Sequence, residues 1–126
     1  MGCDKDLDST DVIAAAPPGD VTVTQSKLQH EFKHAAKFGV AGNPKGPTSQ
    51  QLGNFAQALC NHLNKADNDR IEGNWFEGRP GGCECTHNYD PHTDLCVGVN
   101  RNNEIVYAMQ LGPAQVGHLS STGKLR

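Results

Sequence analysis

The sequence lacks any run of about 18 apolar residues, so it offers no segment that could span a bilayer as a helix. Aromatic residues are also few, with one Trp, two Tyr and four Phe among 126 residues. Apolar residues make up 36% of the chain, which at this length can fill one hydrophobic core. We therefore expect one folded domain and no membrane segment in the mature domain.

The larger part of the chain lacks an excess of charge of one sign. Residues 1–23 contain one basic and five acidic residues, whereas residues 24–126 contain ten basic and nine acidic ones. The first stretch also holds Pro17-Pro18-Gly19 and shows no sustained hydrophobic period, which is typical of a linker. We assign 1–23 to an acidic linker or tail and 24–126 to the working domain. The start has neither the basic nor the long apolar region of a secretory signal, so an exported chain would need its signal on a larger parent protein.

Cysteines are too sparse for a disulfide-held scaffold, since there are five in 126 residues. Cys83 and Cys85 are separated by one residue, which fits the usual zinc spacing poorly. We predict no metal and no cofactor. The alternative is a small metal-binding enzyme that uses Cys83, Cys85, His87 and His92.

Two helices are predicted first along the working domain. Apolar residues recur at helical spacing from Ser26 to Phe38, with Ser26 and Gln29 as a capping box and Gly39 as a left-handed end. A second helix is predicted from Thr48 to Asn64, where Thr48 and Gln51 form another capping box.

The hydrophobic period then changes to that of strands. We predict strands at 71–76, 85–89, 95–99 and 105–109, joined by turns such as Asp90–Thr93 and Arg101–Asn103. Asp90 and Asp94 are expected to shape a turn, and Pro113–Leu119 to form a short helix or an irregular cover. Helices followed by an antiparallel meander predict an α+β fold with the helices packed on a twisted sheet.

One face of the first helix carries imidazole and ammonium groups. Its members are Lys27, His30, Lys33, His34 and Lys37, spaced three or four apart. Metal-free RNA cleavage needs a base for the 2′-OH, an acid for the leaving oxygen and cations for the phosphorane. Histidine and lysine supply these groups, although most charge-rich helix faces are only solvated surface. The spacing alone does not distinguish His34 from His30 as the catalytic group.

A second candidate cluster surrounds the Asp90 turn. It consists of Thr86, His87, Tyr89 and His92. His87 and Tyr89 differ by two and should share one face of a strand, with Thr86 on the other. A structural role for His87 is the competing interpretation, and we expect His62 and His118 to be ordinary surface or helix-end residues.

Four segments, in order, resemble colicin D and related C-terminal toxin domains, including those of contact-dependent growth inhibition systems. They are Phe32–Val40, which is similar to a Phe-Lys-His-Ala-x-x-Phe-Gly signature, Ala58–Leu63, Thr86–Pro91 and Leu111–Gln115. The resemblance implies a compact α+β fold of the barnase, EndoU, colicin and RelE type. It also implies a metal-independent endoribonuclease that cleaves tRNA in the anticodon region and leaves 2′,3′-cyclic phosphate and 5′-hydroxyl ends.

The resemblance assigns roles to single residues. It makes His34 the catalytic histidine and Lys33 its supporting lysine, and we expect Lys27, His30, Lys37 and Tyr89 to bind RNA. It further implies secretion as part of a larger bacterial toxin, action in the target-cell cytoplasm, and a cognate immunity protein as partner. An acidic immunity protein would suit the basic helix face.

The chain departs from the colicin D pattern in two places. Glu31 stands where that pattern has a lysine, and Tyr107-Ala108-Met109 stands where it has Ser-Gly-Trp. Tyr107, Thr86 or His87 could supply the missing donor to phosphate. These departures keep a second class of function open, a non-catalytic module that binds RNA or protein.

Overall fold

The computed structural model describes residues 21–75 and 83–122. Its elements in chain order are α1 (Gln25–Glu31), a 3₁₀ helix (Phe32–Phe38), α2 (Ser49–Leu63), β1 (Asp69–Trp75), β2 (Cys83–Tyr89), β3 (Leu95–Asn100), β4 (Ile105–Gln110) and α3 (Pro113–Thr122). The predicted α+β class is confirmed. No helix of the described part is long and apolar enough to cross a membrane.

The first helix begins and winds differently from the prediction. Thr24 is its N-cap, and the Thr24 hydroxyl accepts a hydrogen bond from the Lys27 N–H at 3.0 Å, so the predicted Ser26 cap is wrong. After Glu31 the chain tightens into the 3₁₀ helix, which ends at Gly39 with the predicted left-handed φ of 84°. Residues three apart align along a 3₁₀ helix. His34 is therefore placed in line with Lys37.

The second helix follows the prediction closely. Thr48 and Gln51 form the predicted capping box. The Gln51 N–H donates to the Thr48 hydroxyl at 3.1 Å, and the Thr48 N–H donates to the Gln51 side-chain oxygen at 2.9 Å. Its apolar stripe, which includes Leu52, Phe55 and Leu59, is buried. Two backbone donors that the helix leaves unpaired are satisfied in this way, so α2 has a sharply defined start.

The four strands form one antiparallel sheet in the order β1-β2-β3-β4. The predicted meander is confirmed, with β1 and β2 starting two residues earlier than predicted and Phe76 lying outside the described residues. A bulge interrupts the β3–β4 register beside Gly98. Such an extra residue bends the strand and increases its local twist.

The sheet separates two hydrophobic clusters. The larger one joins Leu28, Phe32 and Phe55 of the helices to Val97 and Ala108 of the sheet. The smaller one lies on the opposite face and is made of Cys85, Tyr89, Cys96, Val106, Tyr107, Leu111 and Leu119. Leu119 belongs to α3, so the C-terminal segment does form a helix, and this helix helps to cover the far face.

The helix-side core also takes in the end of the predicted linker. Val21 and Val23 are 1% and 4% exposed, and Thr22 exchanges backbone bonds with Asn103 and Ile105. Residues 21–23 thus belong to the folded part. The rest of the predicted linker lies outside the described residues.

Candidate functional site

The basic helix face predicted from the sequence runs along α1 and the 3₁₀ helix. His30, Lys33 and Lys37 are exposed, whereas Lys27 and His34 are partly buried. The five residues follow one another along α1 and the 3₁₀ helix, with His34 in line with Lys37. Three ammonium groups and two imidazoles on such a stretch can attract a phosphodiester backbone.

His34 differs electrostatically from the residues around it. Burial lowers its pKa from the ordinary value, Glu31 opposes that effect, and Lys33 and His30 lower the pKa further. A histidine with a lowered pKa is neutral near pH 7, which is the form that can accept a proton. The surroundings of His34 thus favour a general base over a fixed cation.

Glu31 is a functional candidate that the sequence argument missed. Its side chain is 7% exposed, one carboxylate oxygen accepts the Ala108 N–H of β4 at 3.0 Å, and the other lies 3.4 Å from His30 Nε2. The end of α1 is thereby attached to β4 next to His34. The sequence does contain a signal for this role: Glu31 follows Leu28 by three residues, which places a carboxylate on the apolar face of the helix.

His87 and Tyr107 are brought together, but inside the protein. His87 Nδ1 lies 2.6 Å from the Tyr107 hydroxyl, which in turn lies 3.0 Å from Cys96 Sγ, and both His87 and Tyr107 are fully buried. Burial raises the pKa of Tyr107 well above its ordinary value. In this arrangement RNA reaches neither side chain, and both project from the sheet face opposite the helical layer that holds His34.

Gly98 makes this cluster possible. It stands between His87 and Tyr107 in the sheet register, and a Cβ at Gly98 would lie 2.1 Å from the Tyr107 ring. The tyrosine ring therefore lies across the glycine and reaches His87. A lone glycine within Val97-Gly98-Val99 is the sequence signal for such a close approach.

The remaining members of the predicted second cluster are dispersed. Thr86 points to the opposite face from His87, as predicted, and donates to Glu72 at 3.0 Å. Tyr89, predicted to bind RNA, is buried and donates its hydroxyl to Asp94 at 2.6 Å, and this bond together with burial raises the pKa of Tyr89 to about 12. His92 is exposed and lies 3.8 Å from Asp67.

His62 lies in the last turn of α2, so it is a helix-end residue as expected, but it is not on the surface. It is 3% exposed, its Nε2 lies 2.8 Å from the Asn88 carbonyl, and its ring contacts Phe38. Burial lowers the pKa of His62, partly opposed by the Asn88 hydrogen bond. This histidine joins α2 to β2 and is part of the framework.

The Asp90 turn has the structural role that the sequence predicts. The Asp90 carboxylate accepts the His92 N–H at 2.9 Å and pairs with Lys65 at 2.9 Å. Burial alone would raise the pKa of Asp90, but the bonds from Lys65 and His92 lower it to about 2. The carboxylate thus remains ionised and holds the turn.

The described side chains contain no group of three His, Cys, Asp or Glu residues arranged to hold a metal. Cys85 and Cys96 are buried thiols, and Cys60 is disulfide-bonded. Burial raises the pKa of the Cys96 thiol to about 12, partly opposed by its hydrogen bond with Tyr107. A protonated buried thiol is a poor nucleophile and a poor metal ligand. Cys83 was one of the four residues of the alternative metal-binding enzyme, and its side chain is not among those that the structure describes.

Comparisons with known proteins give a fold. No family model matches the chain, and no curated protein matches it. Among solved structures, the chain is similar to a ribonuclease from Escherichia coli complexed with its inhibitor protein, with a TM-score of 0.59 and 22% sequence identity. The match covers 77% of this chain and 98% of the other. The two proteins therefore share a fold across nearly the whole of that ribonuclease chain.

Proposed function

We propose that this protein is a toxin domain with metal-independent endoribonuclease activity, and that His34 is its catalytic base. The observation that carries the proposal is the partly buried His34, with its lowered pKa, among the lysines of the helical layer. The fold shared with an Escherichia coli ribonuclease supports it. Neither Glu31 nor any other carboxylate is needed as the base, because a neutral imidazole already meets that requirement.

The reaction would begin with transfer of the ribose 2′-OH proton to His34. The 2′-oxygen attacks the adjacent phosphorus and the bond from phosphorus to the 5′-oxygen breaks. The departing 5′-oxygen takes up a proton from water, and His34 returns its proton to solvent, which leaves a 2′,3′-cyclic phosphate and a 5′-hydroxyl. Lys33 would stabilise the negative charge that develops on phosphate oxygens, since it is exposed and adjacent in sequence. Lys27, His30 and Lys37 extend the same surface and would bind neighbouring phosphates.

The substrate we propose is tRNA, cut in the anticodon region, and the setting is the cytoplasm of a bacterium that competes with the producer. Both follow from the resemblance to colicin D. The producing cell would carry an immunity protein. The similar Escherichia coli ribonuclease is itself bound to an inhibitor protein, which supports such a partner. An acidic immunity surface would associate rapidly with the exposed lysines and exclude RNA from them.

The decisive experiment incubates purified protein with total bacterial tRNA in a chelator and identifies the fragments and their ends. Wild-type protein should give discrete fragments with cyclic phosphates, and His34→Asn should lose about 10²- to 10⁴-fold in rate. His92→Asn is the matched control, because His92 is exposed and belongs to the Asp90 turn, not to the helical segment that carries His34. Intact tRNA with folded wild-type protein, or equal loss in both variants, would contradict the proposal.

A non-catalytic RNA-binding module is the second candidate. One observation favours it: His87 and Tyr107, two of the residues expected to act beside His34, are buried. The same assay separates the two functions when RNA binding is followed in parallel. Binding by wild type without any cleavage would identify the module.

A further inference from the structure

An open cleft lies between the end of the 3₁₀ helix and the outer surface of α2. Its volume is about 580 Å³, and its lining residues are Phe38, Gly39, Val40, Ala41, Thr48, Gln50, Gln51, Asn54, Gln57, Ala58 and Asn61. None of these residues is charged. The size falls within the range of small-ligand sites.

Amide side chains dominate the α2 wall of the cleft. Gln50, Asn54, Gln57 and Asn61 follow one another at spacings of four, three and four, so they form one stripe along the helix. Gln57 donates to Asn61 at 3.1 Å, which orders the lower half of the stripe. Each amide offers both donors and an acceptor, the combination that reads the edge of a nucleic acid base.

The chain around the cleft suits a polyanion. Residues 32–66 contain no Asp or Glu and four lysines (Lys33, Lys37, Lys45 and Lys65), although the whole protein has a net charge of −3. Lys65 pairs with Asp90, which leaves three lysines on this segment for other anions. A phosphate backbone would meet no carboxylate from the segment that builds both walls.

The cleft and the proposed catalytic surface share the 3₁₀ helix. Phe38, in its wall, ends the same 3₁₀ helix that carries His34 four residues earlier. Its ring is held against Phe55 at a centroid distance of 5.9 Å and remains partly exposed. A fixed, partly exposed aromatic ring offers a surface on which an unpaired base can stack.

We infer that this cleft binds unpaired RNA bases next to the scissile phosphate, with the amide stripe of α2 as the base-reading wall. The inference rests on the proposed ribonuclease function for its substrate class. It assigns sequence preference to Gln50, Asn54 and Gln57, whereas the lysines and His34 act on the backbone. Unpaired bases are required because pairing hides the Watson–Crick edge, which an unpaired base presents to protein side chains.

The test measures binding of wild-type protein to a short, unstructured RNA whose 2′-oxygens are methylated, so that it cannot be cleaved. The variant Gln50→Ala/Asn54→Ala is compared with Asn102→Ala/Gln110→Ala, which also removes two exposed amides but from the β3–β4 hairpin. Alanine is favourable within a helix, so the α2 variant should fold. A backbone of the same length without bases serves as the second probe.

The α2 variant should bind the methylated RNA at least about tenfold more weakly, while the hairpin variant and the binding of the baseless backbone stay unchanged. Equal RNA affinity in wild type and the α2 variant would overturn the inference and leave the cleft as a surface for a protein. The cleavage assay distinguishes the two proposals. Cleavage of tRNA with identical KM and fragments in the α2 variant rejects only the cleft, whereas base-dependent binding without cleavage rejects only the nuclease.

Discussion

The helical layer and the far face of the sheet both contain histidine, and they use it in opposite ways. His34 is partly exposed beside Lys33 and has a lowered pKa. His87 is fully buried, bonded to Tyr107 and covered by the cluster that includes Leu119 of α3. Histidine is thus accessible for proton transfer on the helical side of the sheet, whereas on the far side it is part of the buried core.

This difference shows that residue type does not identify a catalytic histidine. A buried imidazole in a hydrogen-bonded row is stabilised by its neighbours, and substitution there lowers the free energy of unfolding. Replacing a partly exposed imidazole in a basic surface should change the free energy of unfolding only slightly. Effects on stability and effects on activity should therefore separate according to the face of the sheet.

The largest stability loss should follow Gly98→Ala. The added Cβ would lie 2.1 Å from the Tyr107 ring and push it out of its buried position. We expect a loss of about 3 kcal/mol in the free energy of unfolding, measured by urea denaturation. Gly117→Ala on α3 is the control, because its Cβ would meet no heavy atom within 4 Å, and it should leave stability unchanged or raise it. Equal effects of the two substitutions would show that Tyr107 does not occupy the space above Gly98.

A smaller loss is expected from Tyr107→Phe. The ring stays, but His87 Nδ1 and Cys96 Sγ lose the hydroxyl that lies 2.6 Å and 3.0 Å from them. Removing one partner of a buried hydrogen bond costs about 1–3 kcal/mol, which thermal or chemical denaturation can resolve. Tyr89→Phe removes a hydroxyl bonded to Asp94 nearer the surface and should cost less. The reverse order would mean that the His87 row does not stabilise the far face.

Asp90→Asn should cost less again, and its effect should depend on pH. The pKa of Asp90 is lowered to about 2 from 3.8, so its contribution is fully present above pH 3.8 and is lost as the pH falls through about 2. The difference in unfolding free energy between wild type and variant should be about 1–2 kcal/mol at pH 6, a modest value because Lys65 is partly solvated. The difference should shrink towards pH 2, because Asp90 then becomes protonated in the wild type. A difference that stayed constant down to pH 2 would argue against the Lys65 pair.

The smallest expected change concerns Glu31→Gln and depends on the proposed function. The amide oxygen can still accept the Ala108 N–H, but the negative charge that raises the pKa of His34 is lost. The pKa of His34 should fall further, and the acidic limb of the kcat/KM profile should move to lower pH. Glu104→Gln, on the exposed β3–β4 turn, should leave the profile unchanged. A shift to higher pH, or none, would remove Glu31 from the electrostatic environment of the base.

Much of the fold could be predicted because its signals are local. The capping box of α2, the left-handed Gly39 and the alternating strands each depend on residues close in sequence. The tightening of the first helix at Phe32 was not predicted, because apolar spacing alone does not separate an α-helix from a 3₁₀ helix over a segment of seven residues. The burial of Val21 and Val23 was missed for a similar reason, since two valines in a polar stretch gain their contacts only from distant strands.

The sequence by itself determined the α+β class, the order of helices before strands and the basic face that includes His34, since hydrophobic period and helical spacing require no distant partner. Only the tertiary structure decided that His62, His87, Tyr89 and Tyr107 are buried and that Glu31 joins α1 to Ala108. Strand register and layer packing place these residues, and both depend on contacts between residues far apart in the chain. Accessibility, the property that separates His34 from His87, is therefore a property of the fold and not of the residue.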